Sequence, residues 1–201
     1  MPNGFLVIIS APSGAGKSSV CRALRARDRS LGYSVSCSTR APRPTERNGV
    51  HYHFLTVAEF RRRARRGEFL EWANVHGNYY GTPKRFIDRE AGLGRVILLD
   101  IDVQGAEAIR RRRRDAVTVF ILPPSMRTLE RRLRLRRDTN DSIRTRLVNA
   151  RLELKKAPRY DYWVVNDRLE KAVDQVASII SAERLRSARR PAGAQMVGAG
   201  Q

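Results

Sequence analysis

The sequence predicts an α/β protein with three layers, in which helices cover both faces of a mostly parallel β-sheet. Continuous apolar runs at residues 5–9, 95–102 and 116–122 have the length and β-branched content of buried strands. Segments with helical periodicity separate these runs, and strands that alternate with helices form right-handed crossovers in one parallel sheet. The first run also leads directly into a glycine-rich turn, a typical junction between a strand and a helix in such folds.

The remaining elements follow in chain order. Helices are predicted at residues 18–27, 57–67, 103–113, 125–137, 142–156 and 169–186, and shorter strands at 34–38, 51–55 and 161–165. Ser125 is the expected N-cap of its helix, because its hydroxyl can accept a hydrogen bond from a free backbone N–H. Residues 40–48, rich in proline and arginine, are predicted as an ordered loop. The Gly-, Ala- and Arg-rich residues 187–201 are predicted as a disordered basic tail.

Composition limits the class of protein. The chain has 201 residues, 41% of them hydrophobic, which suits one domain that can carry inserted subdomains. No apolar run approaches the roughly 20 residues of a membrane span, and the first residues lack the pattern of a signal peptide. Cys21 and Cys37 are the two cysteines, and they have neither disulfide density nor metal-ligand spacing. We therefore expect a cytoplasmic protein without a membrane partner.

The charge is strongly positive. Lysine and arginine number 40 against 20 acidic residues, which gives a formal net charge of +20. Such a surface attracts polyanions, but arginine-rich helical runs also arise from an arginine bias across a whole proteome. We favour the second interpretation and expect no dedicated nucleic-acid surface, because basic runs are weak motifs.

The turn after the first strand is the most informative motif. It reads APSGAGKSS and comprises Ala11, Pro12, Ser13, Gly14, Ala15, Gly16, Lys17, Ser18 and Ser19. The turn matches the phosphate-loop pattern G-x-x-x-x-G-K-[ST], except that Ala11 replaces the first glycine. Backbone N–H groups and the N-terminus of the next helix form an anion cradle, Lys17 reaches the β- and γ-phosphates, and Ser18 binds Mg²⁺. We predict nucleotide binding; the alternative is a glycine-rich turn without a ligand.

Polar side chains follow later strands. Asp100 and Asp102 end the strand at 95–102, and Asn166 follows the strand at 161–165. Ligands of parallel sheets bind beyond the carboxyl ends of the strands, so we expect these groups on the same rim as the phosphate loop. Asp100 can orient Mg²⁺ through water or contact a second substrate, although an acid in this position is often only a strand end.

The segment at residues 36–83 indicates which class of phosphate-loop protein this is: a GTPase, an ATPase motor or a kinase. Two arginines and two tyrosines in this segment can clamp a monophosphate, because guanidinium forks match phosphate oxygens. They are Arg40, Arg43, Tyr52 and Tyr80. Glu71 can accept hydrogen bonds from the two adjacent donors of guanine, and the Thr82 hydroxyl can serve O6. Solvated loop charge is the alternative for the arginines, and an ordinary exposed side chain is the alternative for Glu71.

The sequence resembles the guanylate kinase family over residues 4–186. The blocks PSGAGKSS, STRAPRP, GNYYGTP, LLDIDVQG and VVND carry the resemblance and occur in the family's order and spacing. The resemblance implies a P-loop fold whose core comprises residues 1–36, 84–124 and 147–186. It also implies an inserted GMP-binding subdomain at 37–83, a lid at 125–146, and reversible, Mg²⁺-dependent phosphoryl transfer from ATP to GMP or dGMP.

The resemblance also implies roles for single residues. Guanine contacts are implied for Ser36, Glu71, Thr82 and Asp102, and contacts with the GMP phosphate for Arg40, Arg43, Tyr52 and Tyr80. Lid arginines on the ATP phosphates are Arg132, Arg136 and Arg146, and Asn166 lies near the adenine. The expected catalytic residues are Lys17, Arg40, Asp100, Arg136 and Arg146, with Ser18 and, through water, Asp100 at Mg²⁺. Arg137 departs from the family, which often has glycine there.

Three other functions stay open. A non-catalytic domain of guanylate-kinase type would bind phosphopeptides in the GMP pocket, although such domains typically lose phosphate-loop residues that this chain keeps. A basic nucleic-acid-associated NTPase would use ATP independently of GMP. A kinase for another phosphorylated acceptor could share the scaffold. The expected partners are the small molecules ATP and GMP, and the sequence does not fix the oligomeric state.

Overall fold

The computed structural model describes residues 4–75, 77–135 and 140–189, without the side chains of residues 140–142. The elements in chain order are β1 (Leu6–Ser10), α1 (Lys17–Arg27), β2 (Gly32–Ser34), β3 (Cys37–Ser38), β4 (His53–Phe54), α2 (Val57–Arg65), β5 (Phe69–Val75), β6 (Asn78–Pro83), α3 (Lys84–Gly92), β7 (Ile97–Asp100), α4 (Val103–Arg112), β8 (Val117–Leu122), α5 (Met126–Arg134), α6 (Asn140–Leu154), β9 (Tyr162–Val165) and α7 (Leu169–Leu185). Short 3-10 turns occur at Ala157–Arg159 and Ser187–Arg189.

Five parallel strands form the main sheet, in the order β2-β7-β1-β8-β9. β1 lies at its centre, and all five of its residues are buried. Val7 and Ile9 pack on one face with α1, α5, α6 and α7, whereas Leu6 and Ile8 pack on the other face with α3 and α4. Alternate side chains of the strands therefore hold helices on both faces. The predicted three-layer α/β fold with a mostly parallel sheet is confirmed.

A smaller sheet, in the order β4-β3-β6-β5, lies within the stretch predicted to form the GMP-binding subdomain. β5 and β6 form an antiparallel hairpin, and Gly77 has a φ of 80° in its turn, a conformation that glycine adopts at no steric cost. α2 covers one face of the sheet, where the ring of Phe60 stacks on Phe69 with centroids 4.5 Å apart. This small core holds the hairpin that carries Glu71, Tyr80 and Thr82.

The structure corrects some predicted elements. A single strand at residues 34–38 is wrong, because β2 pairs with β7 in the main sheet while β3 pairs with β4 and β6 in the smaller one. Residues 68–94, where the sequence pattern predicts no element, hold β5, β6 and α3. Ser125 does cap α5, since its hydroxyl accepts the backbone N–H of Thr128. The lid boundary predicted at residue 146 falls inside α6, and the division into moving parts stays a prediction.

The predicted disordered tail begins too early. Residues 187–189 form an ordered turn because the guanidinium of Arg189 is buried against three other parts of the chain. It donates to the Glu183 carboxylate (2.9 Å) and to the Asp115 carbonyl (3.0 Å), and it lies 4.0 Å from the ring centroid of Phe5. Residues 190–201 of the predicted tail lie outside the described residues. Among the helices that the structure describes, none is long and apolar enough to cross a membrane.

Candidate active site

A cavity of about 280 Å³ opens at the carboxyl ends of β1 and β7. Residues 11–14 and 16–18 of the phosphate loop form one wall of it. Residues that were predicted to bind GMP line another part of it, namely Ser36, Arg40, Arg43, Tyr52, Glu71 and Tyr80. Asp100, Asp102 and Arg146 also line the cavity. The parallel sheet thus brings groups that are far apart in the chain to one rim, as expected from the strand ends.

The phosphate loop is folded tightly around two glycines. Gly14 and Gly16 have φ values of 93° and 97°, in the left-handed region that favours glycine. A Cβ atom at Gly16 would lie 2.2 Å from the Asn166 side-chain nitrogen, which itself donates to the Ala15 carbonyl (2.8 Å). The loop therefore closes against the end of β9, and the N-terminus of α1 at Lys17 faces the cavity.

Lys17, the first residue of α1, forms an ion pair with Asp100 at the end of β7. Lys17 Nζ lies 2.8 Å from the Asp100 carboxylate and donates to the Ile101 carbonyl (2.7 Å). Burial alone would lower the pKa of Lys17, but Asp100 raises it above its ordinary value. Lys17 therefore stays positively charged at every physiological pH, at the place where the loop can present it to phosphate oxygens.

The residues on this wall also fit a magnesium ion. Ser18 and Asp100 offer a hydroxyl and a carboxylate oxygen at the cavity, and oxygen atoms are the ligands that Mg²⁺ prefers. Within the described ranges, no group of three or more His, Cys, Asp or Glu side chains could hold a metal ion. A site with few protein ligands suits Mg²⁺, which commonly keeps several waters and binds substrate phosphates.

The phosphate clamp is organised by a residue that the sequence pattern did not single out. Glu46 accepts two hydrogen bonds from the Arg40 guanidinium (2.6 and 2.7 Å) and one from the Arg43 backbone N–H (2.9 Å). The hydrogen bonds from Arg40 lower the pKa of Glu46 to about 2. Arg40 also lies over the ring of Tyr52, which contacts the ring of Tyr80. Glu46 therefore fixes both the side chain of Arg40 and the turn that presents Arg43.

Glu71 lines the part of the cavity that is predicted to bind guanine. It is 6% exposed, and it accepts a hydrogen bond from the Thr82 hydroxyl (2.5 Å). Burial raises the pKa of Glu71, hydrogen bonds from Thr82 lower it, and the nearby Asp102 raises it, with a net value of about 7. Thr82 is fully buried and donates to Glu71, and it is not part of the cavity lining. Its placement suggests that it orients the carboxylate.

The start of α4 packs closely against Glu71. Asp102 caps this helix by accepting the Gly105 backbone N–H (3.0 Å). A Cβ atom at position 105 would lie 2.8 Å from Glu71 Oε2. Glycine at this position therefore leaves room for the buried carboxylate, and the same turn of helix brings the Asp102 side chain to the cavity.

The residues predicted on the ATP side have different environments. Arg146 lines the cavity and donates to the Ser13 hydroxyl (3.2 Å). Arg132 instead donates to the carbonyls of Ala15 and Asn166, at 3.3 and 2.9 Å. Asn166 is buried and also bonds to the loop, so both residues support the loop from behind. Ala15 and Ser19 belong to the loop but do not line the cavity, and Arg136 and Arg137 lie outside the described residues.

Comparisons with known proteins agree on one family. A family model described as guanylate kinase matches residues 4–183. A guanylate kinase of Aromatoleum aromaticum is 50% identical over 188 residues, covering 93% of this chain and 92% of its own. A guanylate kinase of Rhizobium johnstonii is 49% identical over 189 residues, covering 93% and 86%. The crystal structure of guanylate kinase from Anaplasma phagocytophilum superposes with a TM-score of 0.81 at 34% identity, covering 94% of this chain and 90% of that one.

Proposed function

This chain belongs to the guanylate kinase family, and from that premise we propose that it transfers the γ-phosphoryl group of ATP reversibly to GMP or dGMP. It is a nucleoside monophosphate kinase, an enzyme of the transferase class. The observation that carries the substrate assignment is that one cavity is lined by both sets of residues. One wall of it is a phosphate loop, and a buried carboxylate that suits guanine lines another part of it.

Recognition of the acceptor base is assigned to Glu71. Guanine presents N1–H and N2–H₂ side by side, and an ionised carboxylate accepts from both. Adenine presents an acceptor at the equivalent position, so it would leave a buried charge without partners, which costs several kcal/mol. Ser36 and Asp102 line the same cavity as Glu71 and contribute further polar contacts with the base.

The acceptor phosphate is assigned to the clamp of Arg40, Arg43, Tyr52 and Tyr80. Its oxygens are already ionised at neutral pH, so no general base is needed to activate the nucleophile. Arg40, held by Glu46, and Arg43 neutralise the repulsion between the acceptor and the donor phosphates. The clamp therefore acts by positioning and charge compensation, which supply most of the catalysis in phosphoryl transfer.

The donor phosphates are assigned to the phosphate loop. Backbone N–H groups of the loop and Lys17 cradle them, and Arg146 reaches the same wall from α6. Ser18 and, through water, Asp100 would hold Mg²⁺, which neutralises negative charge on the phosphates when it is bound. The same proposal includes three further predictions. Arg132, Arg136 and Asn166 act on the ATP side, and residues 37–83 and 125–146 close over the substrates. The protein is located in the cytoplasm.

The alternative of a non-catalytic phosphopeptide domain is disfavoured by the phosphate loop. Gly14, Gly16, Lys17 and Ser18 are all present, and the loop is closed by Asn166 and backed by Arg132. A domain that bound only a phosphopeptide in the acceptor pocket would not need this second site.

The proposal is tested with a panel of nucleoside monophosphates. ADP production from MgATP is measured with GMP, dGMP, AMP, UMP and CMP, and we expect kcat/KM for the two guanine nucleotides to exceed that for AMP, UMP and CMP by several orders of magnitude. The variant Lys17→Met should lose this activity, whereas the exposed control Lys171→Met on α7 should keep it, which excludes a contaminating kinase. Turnover of AMP or UMP equal to that of GMP would refute the substrate assignment.

A further inference from the structure

Helix α6 turns two charged side chains toward the phosphate loop. Ile143 and Ala150 are buried on the inner face of this helix, and Arg146 and Glu153 lie on the same face. Both charged residues line the active-site cavity. Long charged side chains on the inner face of a helix are uncommon unless they have partners there, so the reason for their placement must lie in what they contact.

Both side chains reach Ser13. Arg146 donates to the Ser13 hydroxyl (3.2 Å), and the Glu153 carboxylate lies on the side of the Ser13 backbone N–H, which lowers the pKa of Glu153. Seven residues separate the two on the helix, about 10 Å along its axis. The fully buried Ala150 stands between them, and its small side chain permits the close approach of helix and loop. Ser13 is thus held on two of its groups by one rigid element.

Charged groups on three elements act on the Glu153 carboxylate. They are Lys17 on α1, Asp102 at the start of α4, and Lys156 beyond the end of α6. Burial raises the pKa of Glu153 to about 7, against the lowering effects of Lys17, the Ser13 N–H and Lys156. A carboxylate retained at such a cost inside a catalytic cavity is a candidate for a functional role.

We infer that Glu153 is a positioning residue, which holds the start of the phosphate loop through the Ser13 backbone so that the following N–H groups point at the donor phosphates. This inference rests on the proposed function, because it assumes that the loop binds ATP. The essential property of Glu153 is an acceptor oxygen at the end of a side chain of this length. Its negative charge is secondary, since Lys17 already has Asp100 as its ion-pair partner.

Two conservative variants distinguish the effect of side-chain length at position 153 from the effect of its negative charge. Glu153→Gln keeps an acceptor oxygen at full length and loses the charge, whereas Glu153→Asp keeps the charge but withdraws it from Ser13 by one methylene. Glu170→Gln and Glu170→Asp, at an exposed position on α7, are the matched controls. Binding of a fluorescent ATP analogue is titrated in the absence of GMP, and KM values for ATP and for GMP are then measured separately.

We expect Glu153→Asp to weaken ATP binding and to raise the KM for ATP about tenfold, with the KM for GMP changed less than twofold. Glu153→Gln should stay within about threefold of the parent in each quantity, as should both controls. Any other order of the two variants, or equal effects on ATP and GMP, overturns the inference. If the parent binds ATP but does not phosphorylate GMP, the proposed substrate fails, while the binding titrations still decide the role of Glu153.

Discussion

Replacing Glu71 by glutamine should stabilise the protein while it removes the recognition of guanine. The carboxylate is 6% exposed, and burial holds its pKa at about 7 instead of the ordinary 4.5. The difference corresponds to about 3 kcal/mol, which is the cost of keeping this group ionised in the folded chain. Glutamine has nearly the same shape and still accepts the Thr82 hydroxyl, but it cannot ionise and does not incur that cost.

The gain in stability has a defined pH dependence. Below about pH 4.5 the Glu71 carboxyl is protonated in both the folded and the unfolded chain, so the parent and Glu71→Gln should unfold alike. As the pH rises from 4.5 to 7, the unfolded chain loses this proton first and the parent becomes progressively less stable than the variant. Above pH 7 the difference reaches its full value, about 3 kcal/mol, which is roughly 6–12 °C in Tm for a chain of this size.

The same substitution should impair catalysis. The glutamine amide presents a donor to one of the two guanine donors, so one charge-assisted hydrogen bond is lost and a repulsion is gained. We expect kcat/KM for GMP to fall at least 10- to 100-fold, with ATP binding unchanged, because a hydrogen bond to a charged group contributes about 1.5–3 kcal/mol. Measuring both substrates on the same preparation separates this effect from a loss of folded protein.

Thermal unfolding at pH 4.5, 6 and 8 provides the assay, with Glu90→Gln as the matched control. Glu90 is also a buried carboxylate; burial would raise its pKa, but hydrogen bonds from Arg95 and Arg89 lower it overall. Its substitution should therefore reduce stability at pH 8. If Glu71→Gln melted at or below the parent at pH 8, or if its advantage did not grow between pH 4.5 and 8, the reasoning about the buried charge would be wrong.

Four further outcomes are expected. The KM for GMP should rise about tenfold between pH 8 and pH 6 in steady-state assays, because only ionised Glu71 accepts both guanine donors; a flat profile contradicts this. Glu46→Gln should raise the KM for GMP about tenfold but not that for ATP, since Arg40 loses a charged bidentate partner. Gly105→Ala should lower kcat/KM for GMP at least about tenfold, because its Cβ meets the Glu71 carboxylate; unchanged kinetics would argue against this packing. Arg189→Met should lower the free energy of unfolding by about 2 kcal/mol in denaturant titrations without changing kinetics.

The parallel sheet could be predicted from the sequence because its central strands, β7, β1 and β8, are buried on both faces. A short continuous apolar run, such as the one that contains Val7 and Ile9, indicates a buried strand of a parallel sheet. The smaller sheet has no such signal, since β5 is buried only in its first three residues, and β6 is buried only at Gly81 and Thr82 and ends at Pro83. The division of residues 34–38 between two sheets depends on which distant strands they pair with, and local propensity carries no information about that.

The sequence indicates which residues lie together at the cavity where a short motif is present. The phosphate loop and the strand-end acid Asp100 come together, with the Lys17–Asp100 ion pair between them. Glu46 and Glu153 were not identified, because in the sequence each stands beside basic residues and resembles an ordinary surface charge. Arg132 shows another limit: the contacts of its side chain in this structure, with the carbonyls of Ala15 and Asn166, depend on acceptors that the fold brings close, so the sequence does not reveal them.

The ion pair between Lys17 and Asp100 also bears on how fast nucleotides can leave. A phosphate that recruits Lys17 competes with an internal carboxylate at 2.8 Å, so the free energy gained is the difference between two ion pairs. Such competition weakens the hold on substrate and product alike, which favours turnover over tight retention. The ion pair would therefore break when Lys17 binds the phosphates, which frees Asp100, and it would form again when the product leaves.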